Sequence, residues 1–130
     1  MIQSMTPNLI VNDVNKTVDY YRDLFGFKLE MSVPESGTLD WAMMKHGTVE
    51  IMFQTLPSIA KDVPAFAGKQ PGGAFTLFVI VADVKKLYTT VKSKVELAVD
   101  FNTTFYGMDE FTIKDLNGYY VTFATPAKQQ

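Results

Sequence analysis

The chain has no cysteine. That removes disulfides, thiolate nucleophiles and thiolate metal sites together. It has one histidine, His46, and one tryptophan, Trp41, in 130 residues. A single histidine beside Gly47 at a hairpin tip reads as a solvated turn residue, and no Ser-His-carboxylate set forms convincingly around it. Charge of one sign is lacking too: 12 basic residues face 14 acidic ones, for a net −2. Neither the basic footprint of a nucleic-acid binder nor a polybasic membrane anchor is present. No apolar run approaches the ~20 residues that span a bilayer. Met1-Ile2-Gln3-Ser4-Met5 lacks the basic region and apolar core of a secretory signal. Together with the missing cysteine, this gives the expectation of a cytoplasmic protein. A Gly-rich phosphate loop is also absent, because Gly72-Gly73 precedes a strand rather than a helix.

What is present is an ordinary globular composition, 47% apolar and 20% charged. The length suits one domain, residues 1–130. One phrase occurs twice: Val11-Asn12-Asp13-Val14-Asn15-Lys16 returns 70 residues later as Val81-Ala82-Asp83-Val84-Lys85-Lys86, with four of six positions identical. Each copy ends an apolar run and opens an amphipathic helix, with Asn12 or Asp13 and then Asp83 as caps. This predicts two similar modules, about 5–54 and 74–126, joined by a Pro- and Gly-rich linker at about 55–73 with a short helical turn near Ile59-Ala60.

Each module reads as β-α-β-β-β. In the first, a strand over Thr6–Val11 precedes a helix with Val14, Val18, Tyr21 and Leu24 or Phe25 on one face, stopped by Gly26. Phe27 to Val33 alternates as a half-buried strand. Leu39–Lys45 and Thr48–Gln54 form a hairpin. In the second, Phe75–Val81 is an apolar strand, followed by a helix burying Val84, Leu87, Tyr88 and Val91. Val95–Val99 is a short strand, and Phe101–Lys114 holds another. Asp115-Leu116-Asn117-Gly118 is a hairpin turn leading into Tyr119–Ala124.

Side chains alternate along a strand. Ile51 and Phe53 should face a helix, leaving Glu50, Met52 and Gln54 on the other side. Thr6, Asn8 and Ile10 should share that inward side, as should Thr76, Phe78 and Ile80, and Tyr120, Thr122 and Ala124. Trp41 and Met43 share a face, and Tyr106 and Met108 are further candidates for a concave lining. A one-residue slip in the third or seventh strand would exchange the lists. An aromatic and Met-rich lining with few polar groups is what small-molecule sites usually have. Asp40, Asp109 and Glu110 read as surface charges, kept as weak candidates for an acidic groove.

Tyr20-Tyr21-Arg22-Asp23-Leu24-Phe25-Gly26-Phe27 resembles the "FY...LGF" signature of the vicinal oxygen chelate superfamily, which includes glyoxalase I, extradiol dioxygenases and bleomycin resistance proteins. Tyr106 to Tyr119 resembles its "WG...F...DPDGN" segment, departing at Leu116 and Tyr119. The resemblance covers about residues 5–126 and is closest to the bleomycin-resistance-like branch. It implies an α+β fold: two βαβββ modules whose curled mixed sheets surround a shared cavity, with helices outside. It also implies a homodimer with grooves between subunits.

In the metalloenzymes of this family four strand residues bind a divalent ion. Carried over position by position, they fall on Thr6, Glu50, Thr76 and Thr122. Only Glu50 is a credible ligand, since zinc, iron and manganese prefer imidazole and carboxylate over neutral hydroxyls at such sites. The expectation is therefore a small-molecule binding protein with no metal or other cofactor, sequestering an apolar or cationic ligand. Its binding residues would be Thr6, Asn8, Trp41, Met43, Glu50, Met52, Thr76, Phe78, Tyr106, Met108, Tyr120 and Thr122. No nucleic acid or membrane partner is expected. The alternative is a glyoxalase-type lyase or isomerase, or a dioxygenase, with Glu50 as catalytic base or weak metal ligand. A third reading is an accessory domain without a ligand.

Overall fold

The structure, a computed structural model, describes residues 1–127. The chain divides into two compact units, with the boundary between Gly72 and Gly73.

The first unit runs β1 (Asn8–Val11), α1 (Val14–Phe25), β2 (Lys28–Val33), β3 (Trp41–His46), β4 (Val49–Thr55) and α2 (Leu56–Asp62), then a short 3₁₀ turn at Pro64–Phe66. Its sheet has the order β1-β4-β3-β2. β1 lies parallel to β4, and the other neighbours are antiparallel. The second unit runs β5 (Thr76–Ile80), α3 (Val84–Val91), β6 (Glu96–Thr103), β7 (Met108–Lys114) and β8 (Tyr120–Pro126). Its sheet order, β5-β8-β7-β6, repeats the first pattern with one parallel pair, β5 and β8.

The repeated phrase has the same task in both copies. The Asp13 carboxylate accepts a hydrogen bond from the Lys16 amide at 2.9 Å, and Asp83 accepts one from the Lys86 amide at 3.1 Å. Each satisfies one of the donors that an α-helix leaves orphaned in its first turn. Gly26 ends α1 at φ 73°, the left-handed conformation that glycine adopts without a Cβ clash. The buried face of α1 is Val14, Thr17, Val18 and Tyr21. Thr17, outside the expected stripe, is accommodated because its hydroxyl donates to the Asp13 carbonyl at 2.8 Å. Tyr21 packs on Phe53 with ring centroids 5.1 Å apart, and Tyr88 of α3 packs on Phe111 at 5.3 Å. Both phenylalanines are fully buried, so each sheet has one face sealed by its helix.

Three expectations are corrected. β2 does not keep simple alternation: the register shifts between Leu29 and Met31. Leu29 pairs with Met44 on the helix face, while Met31 and Val33 pair with Met43 and Trp41 on the opposite one. A bulge inserts one residue and turns the following side chains over. β6 is longer than the short strand expected at 95–99, because two further register shifts let it continue to Thr103. The helical turn expected near Ile59-Ala60 is longer than expected, a seven-residue helix, and a 3₁₀ turn follows it.

Candidate functional site

The second face of each sheet carries the chemistry. In the first unit, register puts Asn8, Met52 and Met43 in one cross-strand row, with Met31 beyond them. Trp41 and Gln54 form the next row, flanked by Val33, and Lys45 and Glu50 a third. Trp41, Met43 and Met52 are half-buried, while Met31 and Val33 are 56% and 57% exposed. Parity here follows the expected pattern for β3 and β4.

Two polar arrangements interrupt this apolar face. Glu50 has a partner for each oxygen: Lys45 Nζ lies 3.4 Å from Oε1, and the Thr6 hydroxyl donates to Oε2 at 3.2 Å. Lys45 was not singled out from sequence, although its place two residues before the hairpin glycine sets it directly across from Glu50. The second arrangement is structural. Asn8 Nδ2 donates to Gln54 Oε1 at 2.9 Å, and Gln54 Nε2 donates to Ser58 Oγ at 2.9 Å and to Asp62 at 3.2 Å. This chain pins α2 to β1 and β4, and it occupies the Asn8 amide.

In the second unit the equivalent face carries Thr76 with Tyr120, Phe78 with Thr122, and Ile80 with Ala124. β7 adds Met108, Glu110, Thr112 and Lys114. The Thr112 and Thr122 hydroxyls share a hydrogen bond of 2.7 Å. Phe78 and Ile80 are 53% and 58% exposed. The Tyr106 hydroxyl donates to Glu110 Oε1 at 2.7 Å, and this bond raises the phenol pKa above its ordinary value.

Glu110 is not the surface charge expected from sequence. It is half-buried, and its Oε2 is fully buried with no hydrogen-bond partner among the described residues. Its alternation with the buried Phe111 and Ile113 was the signal for its placement. Asp109 differs: it sits on the helix side, hydrogen-bonded to Thr103, in a polar hollow with Asp83, Lys85 and Thr125. Asp40 is an exposed loop residue. His46 ends β3, exposed, with its ring edge-on to Phe27 at 5.8 Å.

The family-like metal positions divide as Thr6 and Glu50 in the first unit and Thr76 and Thr122 in the second. Their donors do not suit a transition metal. Glu50 is the one carboxylate and is engaged by an ammonium. The other three are neutral hydroxyls, of which Thr122 is already bonded to Thr112. Among the described residues no group of three or more His, Cys, Asp or Glu side chains is placed to hold an ion.

A family model described as the Glyoxalase/Bleomycin resistance protein/Dioxygenase superfamily matches residues 3–123. The chain belongs to that superfamily. Among solved structures of similar fold is TioX from Micromonospora sp. ML1, 19% identical, covering 96% of this chain and 99% of that one at a TM-score of 0.74. A superfamily member from Sphaerobacter thermophilus DSM 20745 is 18% identical, with 96% and 98% covered and a TM-score of 0.75. Lactoylglutathione lyase from Agrobacterium tumefaciens is 16% identical, with 96% and 94% covered and a TM-score of 0.72. At these identities the likeness is one of fold. No curated protein sequence matches the chain significantly. The superfamily's architecture of two four-stranded mixed sheets, each with a helix on one face, is the one described above. Among the described residues, no helix is long and apolar enough to cross a membrane.

Proposed function

We propose that this superfamily member is a small-molecule binding protein of the bleomycin-resistance-like kind, working without a resident divalent metal, as a cytoplasmic homodimer. The observation that carries the reading is the pairing of Glu50 with Lys45 and Thr6 on a face otherwise made of Trp41, Met43, Met52, Met31 and Val33. Such a face offers contact area, polarisable sulfur and an indole. Burying it against a ligand releases roughly 25 cal/mol per Å² of apolar surface. Methionines reshape around varied partners, which suits a site of loose selectivity. The second unit, by itself, carries Phe78, Ile80, Tyr120 and Met108 on the corresponding face of its own sheet.

The enzymatic alternative, with Glu50 as base or weak metal ligand, has less support. A base must reach the proton it takes, and a carboxylate with both oxygens engaged must first release a partner. Elemental analysis after dialysis against zinc, manganese and iron tests the proposal. The expected result is no retained ion, together with a raised melting temperature in the presence of apolar or cationic small molecules. About one tightly held ion per subunit, or turnover of a glyoxalase-type substrate lost in Glu50→Ala, would overturn it.

A further inference from the structure

One cross-strand row of the first unit is built from thioethers. Met31 of β2 pairs with Met43 of β3, and Met43 pairs with Met52 of β4. Directly paired residues project to the same side of a sheet, so three sulfur-bearing side chains stand abreast across three strands. They lie on the face opposite α1, where Met43 and Met52 are half-buried and Met31 is 56% exposed. Met44, the next residue of β3, shows what packing asks of a methionine: it is on the helix side and fully buried. The row has no such task. An ordered methionine gives up more rotamer freedom than the branched residues that strands favour, so core filling does not account for three together on a face that reaches solvent. The third member is delivered by the bulge in β2. Without the register shift between Leu29 and Met31, simple alternation would leave Met31 on the helix side with Leu29. Bulges re-aim side chains in this way beside functional sites.

A thioether is a soft, uncharged donor. It suits Cu(I) and Ag(I) and serves zinc, manganese or iron poorly. Adjacent Cβ atoms in such a row are about 5 Å apart and the outer pair about 10 Å. The three rotatable bonds of methionine let the outer sulfurs lean inward over Met43. Harder donors nearby are already engaged: Glu50 by Lys45 and Thr6, and the Asn8 amide by Gln54. His46 ends β3 with its ring against Phe27. Trp41, two residues from Met43 on the same face, brings an aromatic ring beside the row, which favours a bound cation. We infer that Met31, Met43 and Met52 form a site for a soft monovalent cation, Cu(I) or Ag(I), held through their Sδ atoms. This goes beyond the small-molecule reading, does not depend on it, and is compatible with a protein that holds no divalent metal.

The test titrates the full-length protein, isotopically labelled at its methionine methyl groups, with Ag(I) in chloride-free buffer and with Cu(I) under ascorbate. About one ion per chain is expected. The methyl signals of Met31, Met43 and Met52 should move together while that of Met5 stays. Fluorescence of Trp41, the one tryptophan of the chain, should fall in step. Met31→Leu and Met43→Leu nearly conserve volume and each remove one sulfur, so each should weaken Ag(I) binding about tenfold or more. Met5→Leu should leave it unchanged. Signals of the row that stay in place, shifts confined to Met1 and Met5, or affinity unchanged in both row variants would each overturn the site. So would an equal response to zinc. The methyl shifts are read on the unsubstituted protein, so the test stands even if a variant fails to fold. A negative result leaves the small-molecule reading intact, because that reading answers to the melting-temperature measurement.

Discussion

At the scale of single residues, one hydrogen bond shows how a surface pair reports on pH. The Tyr88 hydroxyl donates to Asp100 Oδ1 at 2.6 Å, and the Phe101 amide donates to the same oxygen at 2.7 Å. The Tyr88 bond, with that amide second, holds the Asp100 carboxyl below its ordinary range, and it raises the tyrosine above its own. A carboxyl lowered in the fold stabilises it above the unfolded carboxyl range, and that contribution is lost as pH falls through the folded value. The tyrosine acts in reverse, its contribution being present below the unfolded phenol range and lost as pH rises through the folded value. Tyr88→Phe should therefore move the Asp100 titration upward, part of the way because the Phe101 amide remains. A carbon-detected NMR titration of the carboxyl would show this, and an unchanged midpoint would refute the assigned cause. Such pairings were not legible in the sequence. Tyr88 and Asp100 lie on different elements, and only the path of β6 past α3 brings them together.

At the scale of elements, the doubled cap allows the same substitution to be made twice. Asp13→Ala and Asp83→Ala should each lower stability by about 1 kcal/mol, the usual worth of an N-cap side chain. Urea unfolding would measure both, and a loss below about 0.3 kcal/mol at either site would show that its cap bond contributes little. The caps, the helices and the Asn117-Gly118 hairpin were readable because each depends on local chemistry at fixed offsets. Asp115 shows the limit: its turn was legible, but its burial, with Oδ1 accepting from the Asn117 and Tyr119 amides, was not. The face of β2 was misread for a related reason. A bulge inserts one residue that hydrophobic alternation cannot reveal, so Met31 and Val33 changed sides unseen. Glu110 was undervalued because sequence reports its charge and gives no sign that one of its oxygens is buried.

At the scale of the whole molecule, the duplicated phrase anticipates the repeated sheet order, whereas the assembly has to be measured. The homodimer belongs to the proposed function, and light scattering should give twice the mass of one chain. A monomer at micromolar concentration would remove any groove between subunits from consideration and leave the sheet faces of a single chain as the site.

Because each sheet is hydrogen-bonded only from strands of its own unit, the peptide link at Gly72–Gly73 lies outside both ladders. Heredity could therefore treat the halves as separate drafts. Either copy can accumulate changes on its second sheet face without the sheet of the other unit having to re-register. The equivalent rows of the two faces, Lys45 across from Glu50 in the first unit and Lys114 across from Tyr120 in the second, are the kind of divergence that such independence permits.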